Sequence, residues 1–165
     1  MPIELDVKIT EKDMYHFHMY HMYHSFTGWF SVLISIMAFA LAVLTWGKLE
    51  LTYTILYTLF GVIFLFYFPL TLKTRAKRQI AQSEALKGTL HYKIDDAGVE
   101  VSFQEESALL EWKQIYKMVS TRQNVLIYSS RVNAYILPKE IIGGAYGNLT
   151  ELAGKHLKKY QNGVK

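Results

Sequence analysis

The chain has 165 residues, of which 51% are hydrophobic and 15% aromatic, and it carries a net charge of +4 with no cysteine. The apolar share is heavy for a soluble domain of this size. The lack of cysteine excludes a disulfide framework, a thiolate nucleophile and any Cys-based zinc or iron–sulfur site.

The chain opens with residues 3–10, Ile-Glu-Leu-Asp-Val-Lys-Ile-Thr, which alternate apolar and polar as a strand with one buried face does. A lone strand is not stable, so residues 1–10 are expected to join the sheet of a β-domain that begins near Thr89. Thr10, Glu11 and Asp13 then read as a helix start, with a hydroxyl to cap an orphan N–H and acids near the positive end of the helix dipole. That helix is expected to run toward Ser25.

Residues 28–46 and 53–72 are two apolar runs without a charged side chain, separated by a six-residue turn. A helix needs roughly 20 residues to cross a ~30 Å hydrocarbon core, and a hairpin of two such helices satisfies its own backbone in lipid. The charge is local. Residues 1–27 sum to −2, 28–72 to 0, 73–87 to +4 and 88–165 to +2. Lys73, Arg75, Lys77 and Arg78 follow the second span, whereas Lys48 and Glu50 balance each other in the turn. The positive-inside rule therefore predicts both termini in the cytoplasm, with these four cations marking topology and meeting anionic headgroups rather than nucleic acid. No Lys or Arg lies between Asp13 and Lys48, so span one lacks the basic start of a cleaved signal and is expected to stay in the mature protein.

Residues 73–87 are good helix formers and predict that the second helix continues to Lys87 with Gly88 as its cap, kinked near Pro69. This extension, about 22 Å long, matches the helix before span one, about 25 Å, and the two are expected to form a stalk. From Thr89 the pattern turns to six short strands, near 90–94, 99–104, 108–112, 116–121, 125–129 and 134–137. A helical turn is expected at residues 112–115, and together these suggest a small antiparallel sheet or partial barrel. After Pro138, Asn148 can cap a helix with the stripe Leu149, Leu152, Ala153, Leu157 and Tyr160.

Three stretches of this region carry a resemblance: Ile94-Asp95-Asp96-Ala97-Gly98-Val99-Glu100-Val101, Leu110-Glu111-Trp112-Lys113-Gln114-Ile115-Tyr116-Lys117-Met118-Val119, and Ala134-Tyr135-Ile136-Leu137-Pro138-Lys139. The chain resembles the YcxB-like C-terminal domain family, bacterial membrane proteins with two spans before this domain. The resemblance implies a domain similar in outline to the pleckstrin-homology fold, a curved sheet closed by a C-terminal helix, and it implies no catalytic residues. The expected class is thus an α+β membrane protein of the bacterial cytoplasmic membrane. A transmembrane hairpin within residues 11–88 would carry a cytoplasmic PH-like domain over residues 89–165.

Among candidate sites, the run from Tyr15 to His24 is the most unusual. On a helix His18, His21 and His24 fall within about a 120° arc, as a Zn²⁺ or Cu²⁺ site requires, while His16 falls outside it. The same residues suit helix packing at an interface, or proton sensing near neutral pH. Ser31, Ser35, Ala38 and Ala42, with Thr54, Thr58 and Gly61, make small faces fit for packing within the hairpin or for a homodimer. The spans hold no acid or base, against a transport pathway. Asp95 and Asp96 are expected to cap a turn and Trp112 to sit in the core. His91 and His156 read as structural singletons. No phosphate loop, nucleophile elbow or HExxH is present. The reading is a binding or regulatory module that needs no cofactor. Its partners would be the bilayer and a protein or inner-leaflet lipid, and the alternative is a His-dependent metal-binding or pH-responsive protein.

Overall fold

A computed structural model describes residues 2–164. Met1 and Lys165, which bound the expected N-terminal segment and C-terminal domain, lie outside the described residues. The chain is α+β and divides into two compact units, Met1–Phe17 with Ala76–Lys165, and His18–Arg75.

The first unit begins with β1 (Ile3–Val7), whose buried Ile3 and Val7 alternate with exposed Glu4 and Asp6. It pairs antiparallel with β2 (Leu90–Ile94) in the register Ile3↔Ile94 to Val7↔Leu90. β3 (Gly98–Phe103) and β4 (Glu106–Glu111) continue the sheet in the order β1-β2-β3-β4. A second sheet, β7-β6-β5-β8, contains β5 (Lys117–Ser120), β6 (Asn124–Tyr128), β7 (Ala134–Pro138) and β8 (Asn162–Gly163). The strands expected to form a small antiparallel sheet or partial barrel are divided between two sheets, with a 3₁₀ turn at Trp112–Gln114 between β4 and β5. Every residue of β6 is buried, as befits a strand covered on both faces.

Helix α1 (Glu11–Tyr23) starts as the sequence predicts: the Thr10 hydroxyl accepts from the Asp13 N–H at 3.2 Å, and the Asp13 carboxylate accepts from the Thr10 N–H at 3.1 Å. It stops short of Ser25. Ser25 caps a separate helix, α2 (Phe26–Thr45), by accepting from the Gly28 N–H at 3.3 Å. Gly28 lies so close to the preceding turn that a Cβ there would sit 2.2 Å from the Met22 carbonyl oxygen, so only glycine fits.

Helix α3 (Leu51–Gln82) is continuous through Pro69 and the basic cluster, but it does not reach Lys87. Ser83 breaks it and caps the short α4 (Glu84–Lys87) by accepting from the Leu86 N–H at 3.3 Å. Gly88 is the C-cap of that last turn, and a Cβ on it would strike the Phe103 ring at 2.3 Å.

At the C-terminal end, α5 (Lys139–Ile142) and a 3₁₀ turn precede α6 (Tyr146–His156). Leu149, Ala153 and Leu157 are buried as the stripe predicts, yet Tyr160 is 79% exposed because the helix ends at His156. The chain then turns back as β8, which runs parallel to β5, and the Gln161 amide donates to the Ile115 carbonyl at 2.8 Å.

Candidate functional site

The histidine run lies on α1 and just beyond it. His18 is buried, His21 half-buried and His24 exposed. The His24 ring stacks on Tyr20 at 3.9 Å, and its Nδ1 lies 2.8 Å from the Tyr20 carbonyl oxygen. A carbonyl only accepts, so Nδ1 carries the proton and is turned back on its own helical turn. Among the described residues, no three or more His, Cys, Asp or Glu side chains are grouped so as to hold a metal ion. The arc read from His18, His21 and His24 is not assembled into such a group.

Lys73, Arg75, Lys77 and Arg78 all lie on α3 and are exposed. They ring the helix rather than lining one groove, because successive residues turn by 100°.

Within the second unit the small faces meet each other. The Ser35 hydroxyl, 2% exposed, donates to the Gly61 carbonyl at 2.8 Å, and the Ser31 hydroxyl donates to the Phe64 carbonyl at 3.1 Å. Ala38, Ala42 and Thr54 are buried, and a Cβ on Gly61 would press the Phe39 ring at 3.1 Å. Small residues let α2 and α3 approach closely enough for these side chain to backbone bonds. The stripe is thus occupied within one chain.

The β-bearing unit holds a cluster that short-range spacing did not reveal. Asp95 caps its turn as expected, its Oδ1 accepting from the Ala97 N–H at 2.9 Å. Asp96 does not cap. Its Oδ1 accepts from Lys155 Nζ at 2.5 Å and pairs with His156 Nε2 at 2.9 Å. Hydrogen bonds from Lys155 and then His156 hold the Asp96 carboxyl down at about 2. His156 also lies flat against Trp112, whose indole N–H donates to the Asp95 carbonyl at 2.8 Å. Trp112 is 6% exposed, a core residue as its sequence context predicts. The β2–β3 turn, the 3₁₀ turn and the end of α6 are tied at this one point. Charged side chains clamping three elements form a structural joint.

His91 is likewise engaged, its Nδ1 2.8 Å from Asp6 across the β1–β2 ladder. An open feature of the same unit is β4, whose residues Glu106, Ser107, Ala108 and Leu109 are all exposed. Beside it a recess of about 670 Å³ is lined by Glu84, Ala85, Phe103, Gln104, Glu105 and Glu106.

The segment holding the β2–β3 turn, the 3₁₀ turn and the end of β7 is also the one with a known counterpart. Residues 94–147 match the YcxB-like protein family. The YcxB-like segment begins at the last residue of β2 and ends in the first turn of α6. It includes Asp96 and Trp112 but neither Lys155 nor His156, and it excludes β1 and the long helices. Comparisons with curated proteins and with solved structures found no match.

Proposed function

We propose that the chain is an integral protein of a bacterial cytoplasmic membrane. Its hairpin would tether a cytoplasmic interaction or regulatory module, with both termini inside. The observation that carries this reading is the exposure of the apolar surface of α2 and α3. Both helices are long and apolar enough to cross a membrane, and only 28% and 11% of their most apolar windows are buried. Phe26, Val43, Leu51 and Leu70 are each more than 60% exposed. A soluble protein does not leave contiguous apolar faces of this size in water, whereas lipid accepts them at no cost.

The module would be the unit with two sheets and α6, similar in outline to a pleckstrin-homology fold. Its role would be binding, not catalysis, because its one cluster of acid, lysine and histidine among the described residues, Asp96 with Lys155 and His156, is engaged in a joint. The partner would be a protein or an inner-leaflet lipid. The test is site-specific photo-crosslinking in native membranes from exposed positions Tyr116, Val132 and Tyr160. Discrete adducts support the reading. If no adducts form and the purified protein takes up stoichiometric Zn²⁺, lost on His18→Ala with His21→Ala, the metal-responsive alternative replaces it.

A further inference from the structure

The first sheet ends on β4, and among the described residues β4 has no strand on its outer side. The ladder geometry shows which of its backbone groups are open. The Asp95 N–H donates to the Gly98 carbonyl at 3.1 Å, which makes Asp95 and Gly98 a bonded pair at the end of the β2–β3 ladder. Bonded and open pairs alternate in an antiparallel ladder, so Gly98, Glu100 and Ser102 bond to β2, while Val99, Val101 and Phe103 bond to β4. Their β4 partners in register are Leu110, Ala108 and Glu106. Ser107, Leu109 and Glu111 therefore point their backbone groups away from the sheet. Glu111 is closed, because its N–H donates to Gln114 Oε1 at 3.1 Å. Ser107 and Leu109 remain, two residues apart, each presenting an N–H and a C=O to solvent.

Natural edge strands are usually blunted by proline, lysine, a bulge or a covering element. β4 reads Glu-Ser-Ala-Leu-Leu-Glu, with carboxylates only at its two ends and no proline or lysine between them, and Leu109 is 52% exposed. Charge selects the occupant. Glu105 and Glu106 flank one end and line the adjoining recess with Glu84, and none of the three is in an ion pair among the described residues. At the other end Glu111 is paired with Lys113. A second copy would bring the same carboxylates against these, whereas a cationic strand would meet them favourably.

We propose that the outer edge of β4 docks an extended basic polypeptide segment, which adds antiparallel or parallel as a fifth strand and places a Lys or Arg in the Glu84–Glu105–Glu106 recess. This deepens the proposed interaction module and rests on it. Main-chain bonds at Ser107 and Leu109 would supply the register and the recess would supply selectivity. With few bonds and exposed charges, the complex would be transient and salt-sensitive.

The test uses the full chain in lipid nanodiscs and the synthetic peptide acetyl-Lys-Thr-Val-Thr-Val-Lys-amide, beside versions with Glu for Lys and with methylated backbone nitrogens. Hydrogen exchange should slow at Ser107 and Leu109 when the peptide is added, and both altered peptides should bind at least tenfold more weakly. Leu109→Pro removes an outward N–H while keeping the β3 ladder, so it should cost tenfold or more. E105K with E106K, far from the core, should do the same. Binding that leaves Ser107 and Leu109 unprotected, equal binding to these variants, no binding at millimolar peptide, or a change of oligomer size in Leu109→Pro would overturn the proposal. If the edge fails while adducts from Tyr116, Val132 or Tyr160 persist, the interaction module survives without it. If both fail, neither reading holds.

Discussion

The indole of Trp112 and the imidazole of His156 lie face to face, their centroids 5.1 Å apart and their planes 11° from parallel. The contact spans the junction of the two sheets and the end of α6. Trp112→Ala should destabilise the β-bearing unit by about 3–5 kcal/mol, a large part of what a small domain has. His156→Ala removes the stack but leaves the indole buried, and should cost about 0.5–1.5 kcal/mol. Limited proteolysis after Gly88 reads the difference, with Trp112→Ala cleaved much faster than the parent and His156→Ala only slightly faster.

Asp96 gives the unit an acid limb. Its carboxyl is held at about 2 in the folded chain against an ordinary value of 3.8. A depressed folded value means the native state favours the carboxylate, so the contribution is present above about pH 4 and is lost as pH falls through 2. Because the group is exposed to solvent, the effect should be modest and weakened by salt. Thermal melts from pH 5 down to 2 should fall more steeply for the parent than for Asp96→Asn. Parallel curves would show that the Lys155 and His156 contacts contribute no stability.

The hairpin should respond more to shape than to hydrogen bonding. Ser35→Ala loses one interhelical bond, worth about 0.6 kcal/mol on average between membrane helices. Gly61→Ile places carbon against the Phe39 ring, which a Cβ alone already approaches at 3.1 Å, and overpacking of this kind costs about 1–3 kcal/mol. Steric-trap unfolding in bicelles should rank the parent, Ser35→Ala and Gly61→Ile in that order of decreasing stability.

Periodicity made the regular elements legible. The faultless alternation of residues 3–10 marked β1, and two charge-free runs marked α2 and the first part of α3. The breaks at Ser25 and Ser83 were harder to see. Each serine stands inside a stretch with no proline, and what decides it is a local cap together with the close approaches at Gly28 and Gly88. β8 has only two residues, too few to show a period. The joint at Asp96 was invisible for a different reason: Lys155 and His156 lie 59 and 60 positions away, and no spacing rule reaches so far. The open edge of β4 was hidden because a strand's position in a sheet is a property of the topology rather than of its own residues.

β1 should protect β2 against exchange although about 80 positions separate them. Asp6 meets His91 across the ladder, and every residue of β1 has a partner in β2. Removing residues 2–9 would leave β2 as an edge, so the amides of Leu90–Ile94 that bond to β1 should exchange much faster. Unchanged protection there would mean that β1 does not pair with β2 in solution.

The proposal of a membrane hairpin with both termini inside is tested most directly by thiol accessibility, since the chain has no cysteine of its own. Single variants Lys48→Cys, Arg78→Cys and Glu105→Cys are expressed in bacterial cells and treated with a membrane-impermeant maleimide before and after permeabilisation. Lys48→Cys should label in intact cells, and Arg78→Cys and Glu105→Cys only once the membrane is opened. Labelling of Arg78→Cys or Glu105→Cys in intact cells, or protection of Lys48→Cys until permeabilisation, would contradict the hairpin and its orientation.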